Sequence, residues 1–435
     1  MEPIQPQQPD KHPKGLYVLF ASEAWERFSF YSMLALFTLY LRDPAEGFGW
    51  TEAEAIRLYS WYLTFVYASP LVGGFLADRH LGYLRTTLIG GVFFVAGHLL
   101  LSFRSLDIVY AALTCLVIGN GLFKPNISTM VGNLYPDGSA LKDRAFVIFY
   151  FGINVGAFVA PVVMEIVKQQ VGYHPAFAVA AFGMVISVLT LYLFRRSVRQ
   201  ADTPVQSSHY ESAGASQLDR VPDSRRVIAL LVVFAIVIVF WMAFHQNGST
   251  LTYWADDNTD WNVSGTIANA INPAWILILS FPLVALWGWL GKRGIEPSTP
   301  AKMTAGMLLT GLSFFVLYWA ARVGEASVAG ADIYDYRVSP AWLICSYGIV
   351  TLGELLLSPM GLSLVSKVAP RRLRGMMMGG WFVATAIGNK LTAIGVYWTR
   401  WPHSTFFAVL GVMCVLVAGL LAVLLKPLKR AMPGV

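Results

Sequence analysis

Residues 15–41 read GLYVLFASEAWERFSFYSMLALFTLYL, an apolar stretch that carries three charged side chains. The stretch is long enough for a helix that crosses a bilayer core of about 30 Å. Glu23, Glu26 and Arg27 are three and four residues apart, which places them on one face of that helix. Because a charged group at the bilayer centre costs about 2.5–3.5 kcal/mol, this face is expected to meet water or other charges. A self-neutralising ion cluster with a purely structural role would give the same pattern.

Composition extends the membrane interpretation to the whole chain. Of 435 residues, 56% are hydrophobic and only 13% are charged, which is too little charge to cover a soluble protein of this size. We predict an all-α membrane protein with about twelve spanning helices. Their predicted bounds are 15–41, 56–77, 86–103, 107–131, 144–166, 175–194, 227–246, 266–290, 301–321, 341–366, 376–397 and 404–425.

Charges in the loops predict the orientation of the chain. One set of loops holds basic runs such as RRLR at 371–374, whereas DPAEGFGWTEAE at 43–54 and ADDNTD at 255–260 lie in the other set. The positive-inside rule then places both termini in the cytoplasm. A central polar segment suggests the six-plus-six layout of major-facilitator transporters. The predicted domains are a tail at 1–14, a six-helix bundle at 15–196, a cytoplasmic linker at 197–226, a second six-helix bundle at 227–425 and a tail at 426–435.

Two further charges lie at similar depth in other predicted helices. Lys124 lies in GNGLFKPNIS on the fourth helix, and Glu354 lies in GELLLSPMGLS on the tenth. The interior acids are Glu23, Glu26 and Glu354, and the interior bases are Arg27 and Lys124. The acids exceed the bases by one negative charge, which a single bound proton would neutralise. A proton-coupled carrier needs this property. Lys390 on the eleventh helix changes the balance if it faces the same cavity, and leaves it unchanged if it extends to the interface.

Several other functions are disfavoured. The chain has no CxxC, HExxH, GxSxG or Walker-type loop, so we expect no metal, cofactor or nucleotide. Membrane orientation explains the net charge of +7 better than a nucleic-acid partner does. An intramembrane hydrolase using Glu23 or Glu354 with His245 would lack a nucleophile and metal-ligand spacing. A receptor that transports nothing would leave the costly interior charges without a use.

Six short motifs, in order along the chain, carry a family resemblance. They are EAWERFSFY at 23–31, GGFLADRHLGYLRT at 73–86, FYFGINVGA at 149–157, INPAWI at 271–276, GELLLSPMGLSL at 353–364 and MMMGGWFVATAIGN at 376–389. Together they resemble the signatures of the proton-dependent oligopeptide transporters, a branch of the major facilitator superfamily. The first motif resembles that family's ExxERFxYY, and the third resembles its FYxxINxG. The resemblance runs from residue 15 to about residue 425.

The resemblance implies roles for individual residues. Glu23, Glu26 and Arg27 would serve proton coupling, with Glu26 exchanging the proton and Glu354 as a further participant. Lys124 and Glu354 would pair as a cytoplasmic gate. The same charges would bind the peptide ends, with Arg27 and Lys124 at the carboxylate and Glu354 at the ammonium. The other residues expected to contact the peptide are Tyr31, Tyr67, Asn154, Trp241, Asn272, Ser358 and Trp381.

The sequence also departs from the family pattern. Phe30 replaces a tyrosine and so removes a hydroxyl. His245 lies where many members carry an acid, and Leu34 lies where many carry the arginine that pairs with it. Losing both partners together avoids stranding one charge. His245 is expected to be a second protonation site or a hydrogen-bonded core histidine. The segment 197–226 is too short and polar for the extra helix pair of many bacterial members, so we expect none.

These observations predict a proton-coupled symporter that imports di- and tripeptides by alternating access, and not an enzyme. We expect it in the cytoplasmic (inner) membrane as a functional monomer. Its expected partners are peptides, protons and the lipid bilayer, with the proton gradient as its driving force and no cofactor. The alternative is a major-facilitator carrier of a non-peptide solute, such as an amino-acid derivative or an anion. His245 and Phe30 keep this alternative open.

Overall fold

The computed structural model describes residues 11–136, 139, 141–202, 221–248, 250–262, 268, 270–328 and 333–433. In these ranges the long elements are all helices, and one isolated bridge pairs Thr259 with Val338. The prediction of an all-helical chain is confirmed. We label the long helices α1 Lys14–Arg42, α2 Glu52–Leu76, α3 Tyr83–Leu100, α4 Leu106–Asn133, α5 Leu141–Val171, α6 Tyr173–Leu193, α7 Asp223–Phe244, α8 Ile271–Lys292, α9 Thr299–Ser327, α10 Pro340–Val368, α11 Arg374–Leu391 and α12 His403–Ala431.

Among the described residues, nine helical segments are long and apolar enough to cross a membrane. They are α3 to α6, α8 to α10, α12, and a segment Asp223–Asp257 that includes α7 and the short helix Thr250–Asp257. The helices α1, α2 and α11 are also long but fall outside this set. Of these three, α1 carries the buried charges Glu23, Glu26 and Arg27.

The helices pack as two groups that meet along a few helix pairs. In the first group, α1 packs on α5 and α6, and α3 packs on α4 and α6. In the second group, α9 packs on α10 and α12, and α7 packs on α11. Contacts between the groups include α2 with α11 and α5 with α8. A Cβ atom at Gly74 on α2 would lie 2.1 Å from the carbonyl oxygen of Gly375 on α11. Glycine at this position therefore permits the close approach of the two helices.

The observed bounds differ from the predicted ones at both edges of the predicted linker. The short helix Arg195–Val198 extends into it, and α7 begins at Asp223 rather than at residue 227. Arg226 is buried and donates hydrogen bonds to the carbonyl oxygens of Val368 at 2.7 Å and Ala369 at 3.1 Å. These acceptors lie at the end of α10, where helical carbonyls lack intrahelical partners, so the arginine has a structural role.

Some predicted segments lie outside the described residues. They are 1–10 and 434–435 of the predicted tails, 203–220 of the predicted linker, and 266, 267 and 269 at the predicted start of the eighth helix. The predicted eleventh helix, 376–397, is divided: the α-helix ends at Leu391 and a 3₁₀ helix follows at Thr392–Tyr397.

Candidate functional site

A cavity of about 1010 Å³ lies between the two groups of helices. Its volume is at the upper end of the usual range for small-molecule sites, about 300–1,000 Å³. Side chains from α1, α2, α4, α5, α7, α8, α10 and α11 line it. The cavity brings together every residue that the sequence predicts as a peptide contact. These residues are Arg27, Tyr31, Tyr67, Lys124, Asn154, Trp241, Asn272, Glu354, Ser358 and Trp381. His245 also lines the cavity.

Glu26 and Arg27 form a two-pronged ion pair on α1. The Nε and Nη2 atoms of Arg27 each donate to one carboxylate oxygen of Glu26. The guanidinium also donates to Asn120 Oδ1 at 3.4 Å and lies 3.5 Å from Glu23 Oε1. Paired hydrogen bonds of this kind fix geometry as well as charge. Arg27 lines the cavity, whereas Glu26 has 0% exposure.

Lys124 forms its ion pair with Glu23, so the pairing links α4 to α1. The Nζ atom of Lys124 contacts Glu23 Oε1. The other carboxyl oxygen, Glu23 Oε2, is buried and has no hydrogen-bond partner among the described residues. Glu23, Glu26, Arg27 and Lys124, which we call the α1–α4 cluster, contain two acids and two bases. With both carboxylates ionised, the cluster is neutral.

Glu354 is held by neutral donors. The Tyr150 hydroxyl donates to Glu354 Oε1. Asn272 Nδ2 donates to Glu354 Oε2 at 2.8 Å and to Thr351 Oγ1 at 2.9 Å. Asn154 lies one turn after Tyr150 on α5 and donates to its carbonyl oxygen at 2.9 Å. The two faces of α5 and α8 that meet α10 therefore position the Glu354 carboxylate in the cavity wall.

The expected Lys124–Glu354 pair is not formed among the contacts that the structure describes. Lys124 is satisfied by Glu23, while both oxygens of Glu354 accept hydrogen bonds from Tyr150 and Asn272. The physical reason is that Glu23 is fully buried and needs a cation, whereas neutral donors suffice for Glu354. The sequence-based charge balance counted Glu354 together with Glu23, Glu26, Arg27 and Lys124. The structure corrects this count, because Glu354 lies apart from the α1–α4 cluster and is bound by Tyr150 and Asn272.

His245 directly follows α7 and lies in the cavity wall. Its Nδ1 atom lies 2.8 Å from the Trp241 carbonyl oxygen, and its ring stacks on the Trp241 ring with centroids 5.0 Å apart. The Phe244 ring packs edge-on against it at 5.5 Å. The structure thus places His245 in an aromatic wall. Trp241 Nε1 is buried without a partner among the described residues.

Trp381 is almost fully buried, with 1% exposure, and packs against α10. A Cβ atom at Gly361 would lie 1.9 Å from the indole ring of Trp381. Phe234 on α7 meets the same ring edge-on at 6.0 Å. Phe30 on α1 replaces the tyrosine of the family motif and also lines the cavity. The centre of its ring lies 4.6 Å from Arg27 Cζ. A cation over a ring face is a favourable contact, so Phe30 helps to hold Arg27.

Sequence reasoning missed several polar residues that line the cavity, among them Tyr150 and Asn120. Tyr150 lies four residues before Asn154, and Asn120 lies four residues before Lys124. Asn120 accepts from Arg27 and donates to the Val66 carbonyl oxygen at 2.8 Å. Helical spacing could have found both residues, because a polar residue four positions from a predicted contact lies on the same helix face.

The cavity extends toward one end of the helices. Its lining includes side chains from the second half of α5, the end of α7 and the start of α8. They are Phe158, Pro161, Val162, Glu165, Ile166, Phe244, His245, Ala270, Asn272 and Pro273. The first turn of α5 lies at the opposite end. There Asp143 contacts Lys302 Nζ at 2.7 Å, Lys367 Nζ at 2.6 Å and Ser363 Oγ at 2.6 Å.

The Asp143 cluster, which joins α5 to α9 and α10, consists of Asp143, Lys302, Ser363 and Lys367. All four residues are buried. Their charges are not distinctive in the sequence, because Asp143, Lys302 and Lys367 lie at or next to the ends of predicted spans. Nearby, Asp78 accepts hydrogen bonds from the backbone of Gly375 at 2.9 Å and Met376 at 2.8 Å, at the start of α11. Burial raises the pKa of Asp78. Contacts between the two helix groups therefore close this end of the cavity.

A family model and two curated relatives all match this chain to transporters. A family model described as "POT family" matches residues 84–211 and 200–413. A relative named "Uncharacterized transporter YclF" from Bacillus subtilis is 31% identical over 98% of this chain and 96% of its own. A "Di-/tripeptide transporter" from Lactococcus lactis is 30% identical, with 97% of each chain covered.

A crystal structure of a mutant peptide transporter POT in complex with alafosfalin has the same fold. It superposes with a TM-score of 0.69 at 30% identity, covering 97% of this chain and 96% of the other. Members of the matched family are transporters and not enzymes, which confirms the prediction that this chain is not an enzyme. The family predicted from the six motifs is also confirmed: the chain belongs to the POT family of peptide transporters.

Proposed function

We propose that this protein is a proton-coupled symporter that imports di- and tripeptides by alternating access. Its membership of the POT family and its similarity to relatives named di-/tripeptide transporters support this function. We propose a functional monomer in the cytoplasmic membrane that needs no cofactor. In this proposal α1, α2 and α11 also span the bilayer, which gives twelve spans in two six-helix bundles without an extra helix pair.

The observation that carries the proposal is that opposite charges face one cavity. Arg27 and Lys124 lie on its α1 and α4 walls, and Glu354 lies on its α10 wall. A short peptide is a zwitterion whose ends are constant and whose side chains vary. The cations match the peptide carboxylate, Glu354 matches the ammonium, and Asn154 and Asn272 offer hydrogen bonds to the backbone. The aromatic walls then accept varied side chains.

Proton coupling follows from the α1–α4 cluster. Protonation of Glu26 would remove the anion that now holds Arg27, which would free the guanidinium for a peptide carboxylate. Glu23 Oε2 is the buried carboxyl oxygen in this cluster without a described partner, so a proton could bind there without breaking a described contact. We propose that the two carboxyls share the coupling proton, with Glu26 as the group whose protonation releases Arg27.

Alternating access requires one closed end and one open end. With both termini in the cytoplasm, the cavity in this structure faces outward. The Asp143 cluster and the contacts of Asp78 with the start of α11 then close the cytoplasmic end. These contacts between the two bundles would break when the transporter opens inward.

The test is uptake of a labelled dipeptide into liposomes that contain the purified protein. An imposed inward proton gradient should cause accumulation in the wild type and in the Asp257→Asn variant, whose replaced carboxylate is exposed and outside the long helices. Glu26→Gln should bind peptide but lose gradient-driven accumulation. Accumulation that survives Glu26→Gln, or that needs no gradient, would contradict the coupling mechanism. Competition by Ala-Ala against free alanine and nitrate in a thermal-shift assay tests the non-peptide alternative.

A further inference from the structure

His245 presents one free ring nitrogen to the cavity. The residue lines the cavity, and its Nδ1 atom is engaged with the Trp241 carbonyl oxygen at 2.8 Å. A carbonyl oxygen only accepts hydrogen bonds, so Nδ1 must carry the hydrogen. Among the described residues, Nε2 has no hydrogen-bond or ion-pair partner. This atom is also not fully buried. Nε2 is therefore the polar atom that His245 offers to a ligand.

The surroundings of His245 are aromatic rather than charged. Its ring is stacked on Trp241 and packed against Phe244, which fixes its plane. No described acid or base forms an ion pair with it. A polar atom on a rigid aromatic wall discriminates strongly, because a ligand that covers it without a hydrogen bond leaves it unsatisfied.

We propose that His245 is a specificity-determining residue that selects peptides with a hydroxyl-bearing side chain. The inference rests on the proposed function, in which Arg27, Lys124 and Glu354 bind the peptide ends and leave the side chains to the aromatic walls. A hydroxyl both donates and accepts. It can donate to Nε2 of a neutral ring or accept from Nε2 of a protonated one, so the match holds in either protonation state.

This role differs from proton coupling. A coupling residue is needed for gradient-driven accumulation of every substrate, whereas a specificity residue changes only the ranking of substrates. The two roles are separated by measuring ranking and accumulation in the same variants.

The experiment compares threonine with valine, which have nearly the same shape and differ in the hydroxyl. Ala-Val, Ala-Thr, Val-Ala and Thr-Ala compete against a labelled dipeptide in proteoliposomes, so that either side-chain pocket is sampled. For the wild type, at least one threonine peptide should compete about three- to tenfold better than its valine partner, the range of one net hydrogen bond. His245→Phe should abolish that difference and leave the valine peptides within about twofold of wild type.

His245→Gln is the conservative variant, because its amide oxygen can accept a hydrogen bond and should restore part of the preference. Equal competition by threonine and valine peptides in the wild type, or a preference that persists in His245→Phe, would overturn the inference. Loss of Ala-Val accumulation in properly folded His245→Phe would also overturn it and assign His245 to coupling. Failure of every peptide to compete in the wild type would instead reject the proposed function.

Discussion

Lys124 on α4 contacts the carboxylate of Glu23 on α1, deep between the two helices. Both side chains are buried, and Glu23 has 0% exposure. The lysine therefore compensates an interior anion and at the same time lines the cavity. A peptide carboxylate that reaches Lys124 must compete with Glu23, so substrate binding and the charge state of α1 are physically linked.

Removal of Lys124 should destabilise the fold. Lys124→Ala leaves the buried carboxylates of Glu23 and Glu26 with Arg27 as the one remaining cation of the α1–α4 cluster. Removing one partner of a buried ion pair in this way costs about 3–5 kcal/mol. Thermal unfolding in detergent should show a large decrease in the midpoint. Lys168→Ala is the control, because Lys168 pairs with the half-exposed Glu165 and should cost less than about 1 kcal/mol. Adding Glu23→Gln to Lys124→Ala should recover part of the loss; no recovery would show that the pair is not the cause.

Tyr150→Phe should weaken peptide binding. The variant deletes the hydroxyl that donates to Glu354 Oε1, and a hydrogen bond to a charged group contributes about 1.5–3 kcal/mol. In the proposed function that bond positions the carboxylate for the peptide ammonium, so we expect an increase in Kd of about tenfold or more, measured by titration calorimetry with a dipeptide. Tyr110→Phe, at an exposed position on α4, should leave Kd unchanged. An unchanged Kd in Tyr150→Phe would remove Tyr150 from the site.

Asp143→Asn should loosen the closed end of the cavity. Without the carboxylate, Lys302 and Lys367 lose the anion that lies between them and repel each other. In Ser366→Cys, whose position is fully buried, the new thiol should then react several-fold faster with a thiol reagent applied from the side of the Asp143 cluster, the cytoplasmic side in the proposed orientation. The background replaces Cys115, Cys345 and Cys414.

Asp223→Asn is the matched control for Asp143→Asn. Asp223 pairs with Arg372 at 2.9 Å, and both residues belong to the second group of helices, so labelling at Ser366 should not change. Equal labelling rates in the wild type and Asp143→Asn would mean that the Asp143 cluster does not keep this end closed.

Gly361→Ala should disturb the aromatic wall. The added methyl would lie 1.9 Å from the Trp381 ring, and overpacking of this kind costs about 1–3 kcal/mol. We expect a lower midpoint of thermal unfolding together with weaker dipeptide binding, because Trp381 lines the cavity. Gly419→Ala on α12 meets nothing within 4 Å and should change neither quantity. A neutral Gly361→Ala would show that Trp381 moves freely.

The sequence was most informative where charge conflicts with lipid. Glu26, Arg27, Lys124 and Glu354 could be selected because a buried charge is costly and needs a reason, and three of the four line the cavity. Which residue pairs with which could not be predicted, since pairing depends on how α1, α4, α5, α8 and α10 approach one another. Tyr150 was passed over because one tyrosine among many aromatic residues is not distinctive. Asp143 was passed over because a charge at the end of a predicted span is usually solvated.

The shape of the cavity has a consequence for drug-like molecules. One end, lined by Phe158, Pro161, Val162, Glu165 and Ile166 of α5, lies away from the Asp143 cluster. In the proposed transport cycle this end has to narrow before a substrate can be released on the other side. A compound with a peptide's two charged ends but a rigid, bulky middle would be held by the same side chains and would prevent that narrowing. Such a compound would be a competitive blocker rather than cargo. We therefore expect the size of a ligand's centre to separate transported peptides from blockers of this protein.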